Sequence, residues 1–140
     1  MKKIIPILLL GSTLSYAANI EVTINNIKPI IGQLSIVLDT EDTYDKNDKP
    51  SSVFSARKKV SALSHKITIN SVEPGTYALS IFHDEDNNNE LSTNFFGVPN
   101  EGYGFSNNVI GSFGKPTFTE ANFVVNDDKE TINLSVVLVR

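Results

Sequence analysis

Gly75-Thr76-Tyr77-Ala78-Leu79-Ser80-Ile81 spaces Tyr77, Leu79 and Ile81 two residues apart. Successive side chains of an extended chain point to opposite faces, so these three share one face of a half-buried β-strand. Pro74-Gly75 supplies the turn that precedes it. The alternation stops at His83, where an acidic run begins.

The same period recurs on both sides of this stretch. Ile20, Val22 and Ile24 alternate with Glu21, Thr23 and Asn25. Leu34, Ile36 and Leu38 follow Gly32, Ile67 and Ile69 form a short pair, and Ile132, Leu134, Val136 and Leu138 close the chain. Phe118, Phe123 and Val125 add a less regular strand. Lys28-Pro29 and Asn126-Asp127-Asp128 are turn chemistry between these runs. A helical spacing of apolar residues occurs only at Val53, Ala56, Val60 and Leu63, which predicts a short helix within Ser52 to Leu63. Asp39 to Ser52 is polar and charged and reads as a long loop. The expected fold is all-β: an antiparallel two-sheet sandwich of about seven strands, prealbumin-like or Ig-like.

The first seventeen residues stand apart from this pattern. Lys2 and Lys3 precede an apolar run, Ile4 to Leu14, broken by Ser12 and Thr13, and Ser15-Tyr16-Ala17 puts small residues where a signal peptidase cuts. Residues 1–17 are expected to be a signal peptide and 18–140 a single domain, periplasmic or secreted. The apolar run is roughly half the ~20 residues of a spanning helix, so no membrane span is expected in the mature form. No cysteine occurs anywhere, which excludes disulfides and thiolate metal sites. Without Lys2 and Lys3 the chain carries ten basic and sixteen acidic residues, a net charge of −6. Such a surface disfavours nucleic acid and suits cations.

The acidic run is His83-Asp84-Glu85-Asp86-Asn87-Asn88-Asn89-Glu90-Leu91. Asp84, Asp86 and Asn88 are spaced by two, and a tight loop turns such side-chain oxygens toward one point, as Ca²⁺ requires. Asn89 stands where an EF-hand loop has Gly, and Asn tolerates a left-handed backbone. The Glu90 carbonyl offers another oxygen, and Leu91 is placed to plug the core. The twelfth position is Phe95 in place of a bidentate Glu, so a closing carboxylate has to come from elsewhere, with Glu101 the nearest downstream. The expected metal ligands are therefore Asp84, Asp86, Asn88, Glu90 and Glu101, with Ca²⁺ as the ion. A metal-free Asx-rich turn is the reading the turn chemistry favours, with the Ca²⁺ site as its alternative.

Beyond it, Gly97, Gly102, Gly104 and Pro99 forbid regular structure through a segment holding four aromatics, Phe95, Phe96, Tyr103 and Phe105. Those rings are expected to fold inward and anchor the loop. If exposed, they would make a carrier or adhesion surface over 95–105 for a protein or small-molecule ligand.

Several ordered motifs resemble the bacterial DUF2141 family of exported proteins of unknown function. They are Gly75-Thr76-Tyr77-Ala78, His83-Asp84-Glu85-Asp86-Asn87-Asn88, Phe96-Gly97-Val98-Pro99, Glu101-Gly102-Tyr103-Gly104-Phe105-Ser106-Asn107, and Gly114-Lys115-Pro116-Thr117-Phe118 with Ala121 and Phe123. The resemblance implies a prealbumin-like or carboxypeptidase-regulatory-like sandwich and no activity. The family has Gly and Asp where this chain has Asn89 and Ser92. Related surface modules use similar loops for structural calcium, a fold-level analogy.

No catalytic constellation stands out. His83 and Asp84, as strand neighbours, point to opposite faces, His65 has no evident nucleophile partner, and Ser106 lacks a nucleophile-elbow context. A hydrolase is the least favoured expectation and a non-catalytic module the favoured one, with no catalytic residue assigned.

Overall fold

The computed structural model describes residues 16–46 and 51–140. Residues 1–15 of the expected signal peptide lie outside the described residues, as do residues 47–50 of the loop expected between Asp39 and Ser52. Eight strands are described: β1 (Ala18–Asn25), β2 (Gln33–Asp39), β3 (Phe54–Lys59), β4 (His65–Val72), β5 (Gly75–Asp84), β6 (Tyr103–Phe105), β7 (Asn122–Val125) and β8 (Thr131–Val137). Two four-residue helical turns, α1 (Glu41–Tyr44) and α2 (Phe118–Ala121), lie in the connections.

The strands form two sheets. One has the order β4-β1-β8. The other has the order β3-β2-β5-β6, with β7 also pairing β5. β5 is the organising strand, as its alternation suggests. It pairs with β2 from Ala78 to Asp84, while β7 and β6 meet it at Gly75–Ala78 and Ser80–Phe82 respectively.

Three expectations are corrected. The strand count is eight rather than seven, because Phe54–Lys59 and Tyr103–Phe105 are extended. The helix expected within Ser52 to Leu63 is instead β3, antiparallel to β2 from Leu38↔Phe54 to Gln33↔Lys59. Phe54, Ala56 and Lys58 are half-buried while Ser55, Arg57 and Lys59 are exposed, so pairing with β2 overrides the weak helical spacing. Finally, the pairing is not antiparallel throughout: β1 and β8 run parallel, from Asn19↔Thr131 to Asn25↔Val137. Sequence alternation carries no information on strand direction.

The main core draws on both sheets. Ile20, Val22, Ile24, Ile69 and Val136 come from the first, and Leu34, Ile36, Leu38, Tyr77, Leu79 and Ile81 from the second. A smaller cluster of Tyr44, Ala78, Phe105 and Ala121 gathers under α1 and α2, with Phe118 edge-on to Tyr44. Among the described residues no helix is long and apolar enough to cross a membrane.

Candidate metal centre at the end of β5

The site is built where β5 runs out. Asp84 is the last residue of β5 and the register partner of Gln33, the first of β2. Register partners share a face, and Gln33 Nε2 donates to Asp84 Oδ2 at 2.8 Å. The carboxylate is fully buried. Its Oδ1 accepts the Asn88 amide at 3.0 Å, and its Oδ2 accepts the Asn89 amide at 3.0 Å. Arg57 Nη1, on β3, stands 3.4 Å from Oδ2. Burial pushes the Asp84 pKa up, but the bonds from Gln33, Asn89 and Asn88 outweigh it and hold the carboxyl below its ordinary value.

The loop that follows folds back over this carboxylate. Asn87 and Asn89 both have left-handed backbone, φ 60° and 69°. Asn is the non-glycine residue best suited there, which explains the Asn run without a glycine. Asp86 Oδ1 accepts the Asn88 amide at 3.1 Å, closing an Asx turn. The packing is close on the other side as well. A Cβ on Gly32, itself at φ 68°, would meet the Asp84 carbonyl oxygen at 2.1 Å. Only glycine fits where β2 begins.

Glu101 closes the loop from downstream. It is buried, with Oε1 accepting the Glu85 amide and Oε2 the Ser92 amide, both at 2.8 Å. As a result, carboxylate oxygens of Asp84, Asp86 and Glu101 lie within 4.8 Å of one another. Two oxygens on opposite sides of a Ca²⁺ ion, each at ~2.4 Å, stand about that far apart.

The other expected ligands are placed differently. Asn88 presents nitrogen: its Nδ2 donates to Asp86 Oδ2 and Ser92 Oγ, both at 3.0 Å. Glu90 is exposed, and its amide donates to Asn88 Oδ1 at 2.8 Å. Leu91, expected to plug the core, is only half-buried.

Sequence reasoning did not single out Gln33, Arg57 or Arg140, and it met Ser92 only as a departure from the family pattern. Arg57 was hidden by the helical reading of its segment. The C-terminal Arg140 bonds to the Glu85 carboxylate, the Lys28 carbonyl and the Asn100 carbonyl, tying three loops together. Only the folded connectivity brings these positions together. The acidic cluster is thus partly neutralised: Arg57 pairs with Asp84 and Arg140 with Glu85, so Asp84, Glu85, Asp86 and Glu101 together keep two negative charges in excess.

The residues weighed for catalysis have structural partners. His83 is fully buried, and its Nε2–H donates to the Ile31 carbonyl at 2.7 Å. Its Nδ1 makes no hydrogen bond and faces Glu85 Oε1 at 3.8 Å. The near carboxylate is therefore two residues on, on the same face, and not Asp84. His65 Nε2 accepts the Ser61 amide at 3.0 Å. Ser106 Oγ accepts the Leu79 amide at 2.9 Å and donates to the Ala121 carbonyl, pinning α2 to β5.

The aromatic segment divides. Phe105 is buried and Tyr103 half-buried, their rings edge-on at 6.2 Å. Phe95 and Phe96, expected to turn inward, are 96% and 85% exposed. The physical reason is a tight hairpin, Thr93 bridging Pro99 and the Asn94 amide bonded to the Val98 carbonyl, which turns both rings away from the body.

A family model described as "Uncharacterized protein conserved in bacteria (DUF2141)" matches residues 22–133. No curated protein and no solved structure matches the chain.

Proposed function

The chain belongs to the DUF2141 family, which prescribes no activity, and from its own residues we propose an exported, non-catalytic module, its two sheets packed face to face as a sandwich, with Ca²⁺ as a structural staple in the acidic loop. The observation that carries this reading is the convergence of Asp84, Asp86 and Glu101 oxygens within 4.8 Å. Three carboxylates form a hard, all-oxygen donor set, which suits Ca²⁺ over softer metals. When bound, the ion would supply charge neutralisation and no chemistry. Asp84 and Glu101 would hold it from the rigid side, and Asp86 from the exposed one.

Export is supported by the position of β1. A cut after Ala17 leaves Ala18, the first residue of β1, as the new terminus and removes none of the described strands. N-terminal sequencing of protein recovered from outside the cytoplasm should begin at Ala18, and an intact Met1 there would refute it. The non-catalytic reading is supported by the structural bonds of Ser106, His65 and His83.

The calcium reading is tested by melting EDTA-treated protein at increasing Ca²⁺. An ion that binds only the folded state raises the melting temperature by mass action. The rise should shrink in Asp86→Ala, whose exposed side chain can be removed with little harm to the fold. No rise at millimolar Ca²⁺, or an undiminished rise in Asp86→Ala, would overturn the assignment.

A further inference from the structure

Two loops at the β5 end of the molecule carry exposed apolar side chains. Phe95 and Phe96 cap the 93–99 hairpin with rings edge-on at 5.6 Å, and Val98 beside them is 53% exposed. Ile30 and Ile31 follow Lys28-Pro29 and are each 50% exposed. Arg140 joins the two loops through the Lys28 and Asn100 carbonyls, and the Ile31 carbonyl holds His83. The hairpin is rigid: Asn94 Oδ1 accepts the amides of Phe96 at 2.9 Å and Val98 at 3.1 Å. Apolar rings held in water by a braced turn mark an interaction surface.

We propose that this end docks on a lipid bilayer by shallow insertion of Phe95, Phe96, Ile30 and Ile31. The shape favours lipid over a protein partner. Two separate tips of a few side chains fall well short of the ~800 Å² per partner of a specific protein interface. They are enough to enter a soft interfacial layer, where apolar area drives reversible binding. The charges select the lipid. Lys28 is exposed beside Ile30 and suits a headgroup phosphate, whereas Asp86 and Glu90, exposed near the hairpin base, oppose a net anionic surface. The matching surface is zwitterionic.

The experiment is co-sedimentation of the protein with phosphatidylcholine vesicles, in EDTA so that it is independent of the calcium reading. Binding should rise with lipid up to about 5 mM and fall as phosphatidylglycerol is added. Phe95→Ser with Phe96→Ser should lower partitioning about tenfold or more, with an unchanged melting temperature because both rings are exposed. Ile30→Ser with Ile31→Ser should weaken it in the same direction. No sedimentation at about 5 mM lipid, or equal partitioning of the Phe pair variant, would overturn the proposal. So would concentration-dependent dimerisation abolished by the Phe changes without vesicle binding, which would assign the tip to a second copy of the chain.

Discussion

Glu101 Oε1 accepts the backbone N–H of Glu85 at 2.8 Å, joining the start of the acidic loop to a residue beyond its end. The other oxygen takes Ser92, so one buried carboxylate holds both ends of the loop. Hydrogen bonds to a charged acceptor are stronger than neutral ones, and an abandoned buried donor is costly.

Glu101→Ala should therefore lower unfolding stability by about 3 kcal/mol, read from the urea midpoint. Glu101→Gln should fall between the two, since its amide oxygen replaces only one of the two acceptors. A Glu101→Ala chain as stable as the wild type would show that the clamp contributes nothing.

Asp84 makes stability depend on pH with a definite sign. Its folded pKa lies below the ordinary 3.8, so the ionised form favours the fold. The contribution is complete above 3.8 and is lost as pH falls through the lower folded value. Urea midpoints should therefore drop steeply with acid in the wild type and less steeply in Asp84→Asn. That variant should also be weaker at neutral pH, where its amide cannot accept at both positions. Equal acid slopes in the two chains would refute this role.

Ser106→Ala should cost about 1–3 kcal/mol in denaturant unfolding, because the Leu79 amide loses its buried acceptor. A change confined to a hydrolytic activity, with stability untouched, would contradict the structural role of this hydroxyl.

What the sequence revealed follows from which interactions are local. Alternation located β1, β2, β5 and β8 because in each an apolar residue recurs at every second position, and that period is written residue by residue. β3 escaped because Arg57, Lys58 and Lys59 lack the apolar face of a core strand. β3 exists by virtue of its pairing with β2. In the acidic loop, the spacing of Asp84 and Asp86 is local and was legible. The same holds for the left-handed Asn89. Gln33 and Arg57 arrive through strand register, and Arg140 through the path of the C-terminus, neither of which a one-dimensional pattern encodes. The outward turn of Phe95 and Phe96 is set by hairpin hydrogen bonds, which hydrophobicity alone opposes.

The parallel pairing of β1 with β8 has a consequence for when the chain becomes folded. β1 is the middle strand of its sheet, and one of its edges stays open until Thr131–Val137 is available. Contacts between the two ends of a chain form late, because loop closure must precede them. A ribosome-bound chain cannot complete this sheet before Thr131–Val137 emerges. Thr131–Val137 thus acts as a latch: until it pairs with β1, the β4-β1-β8 sheet stays incomplete, however early β1 and β4 are made.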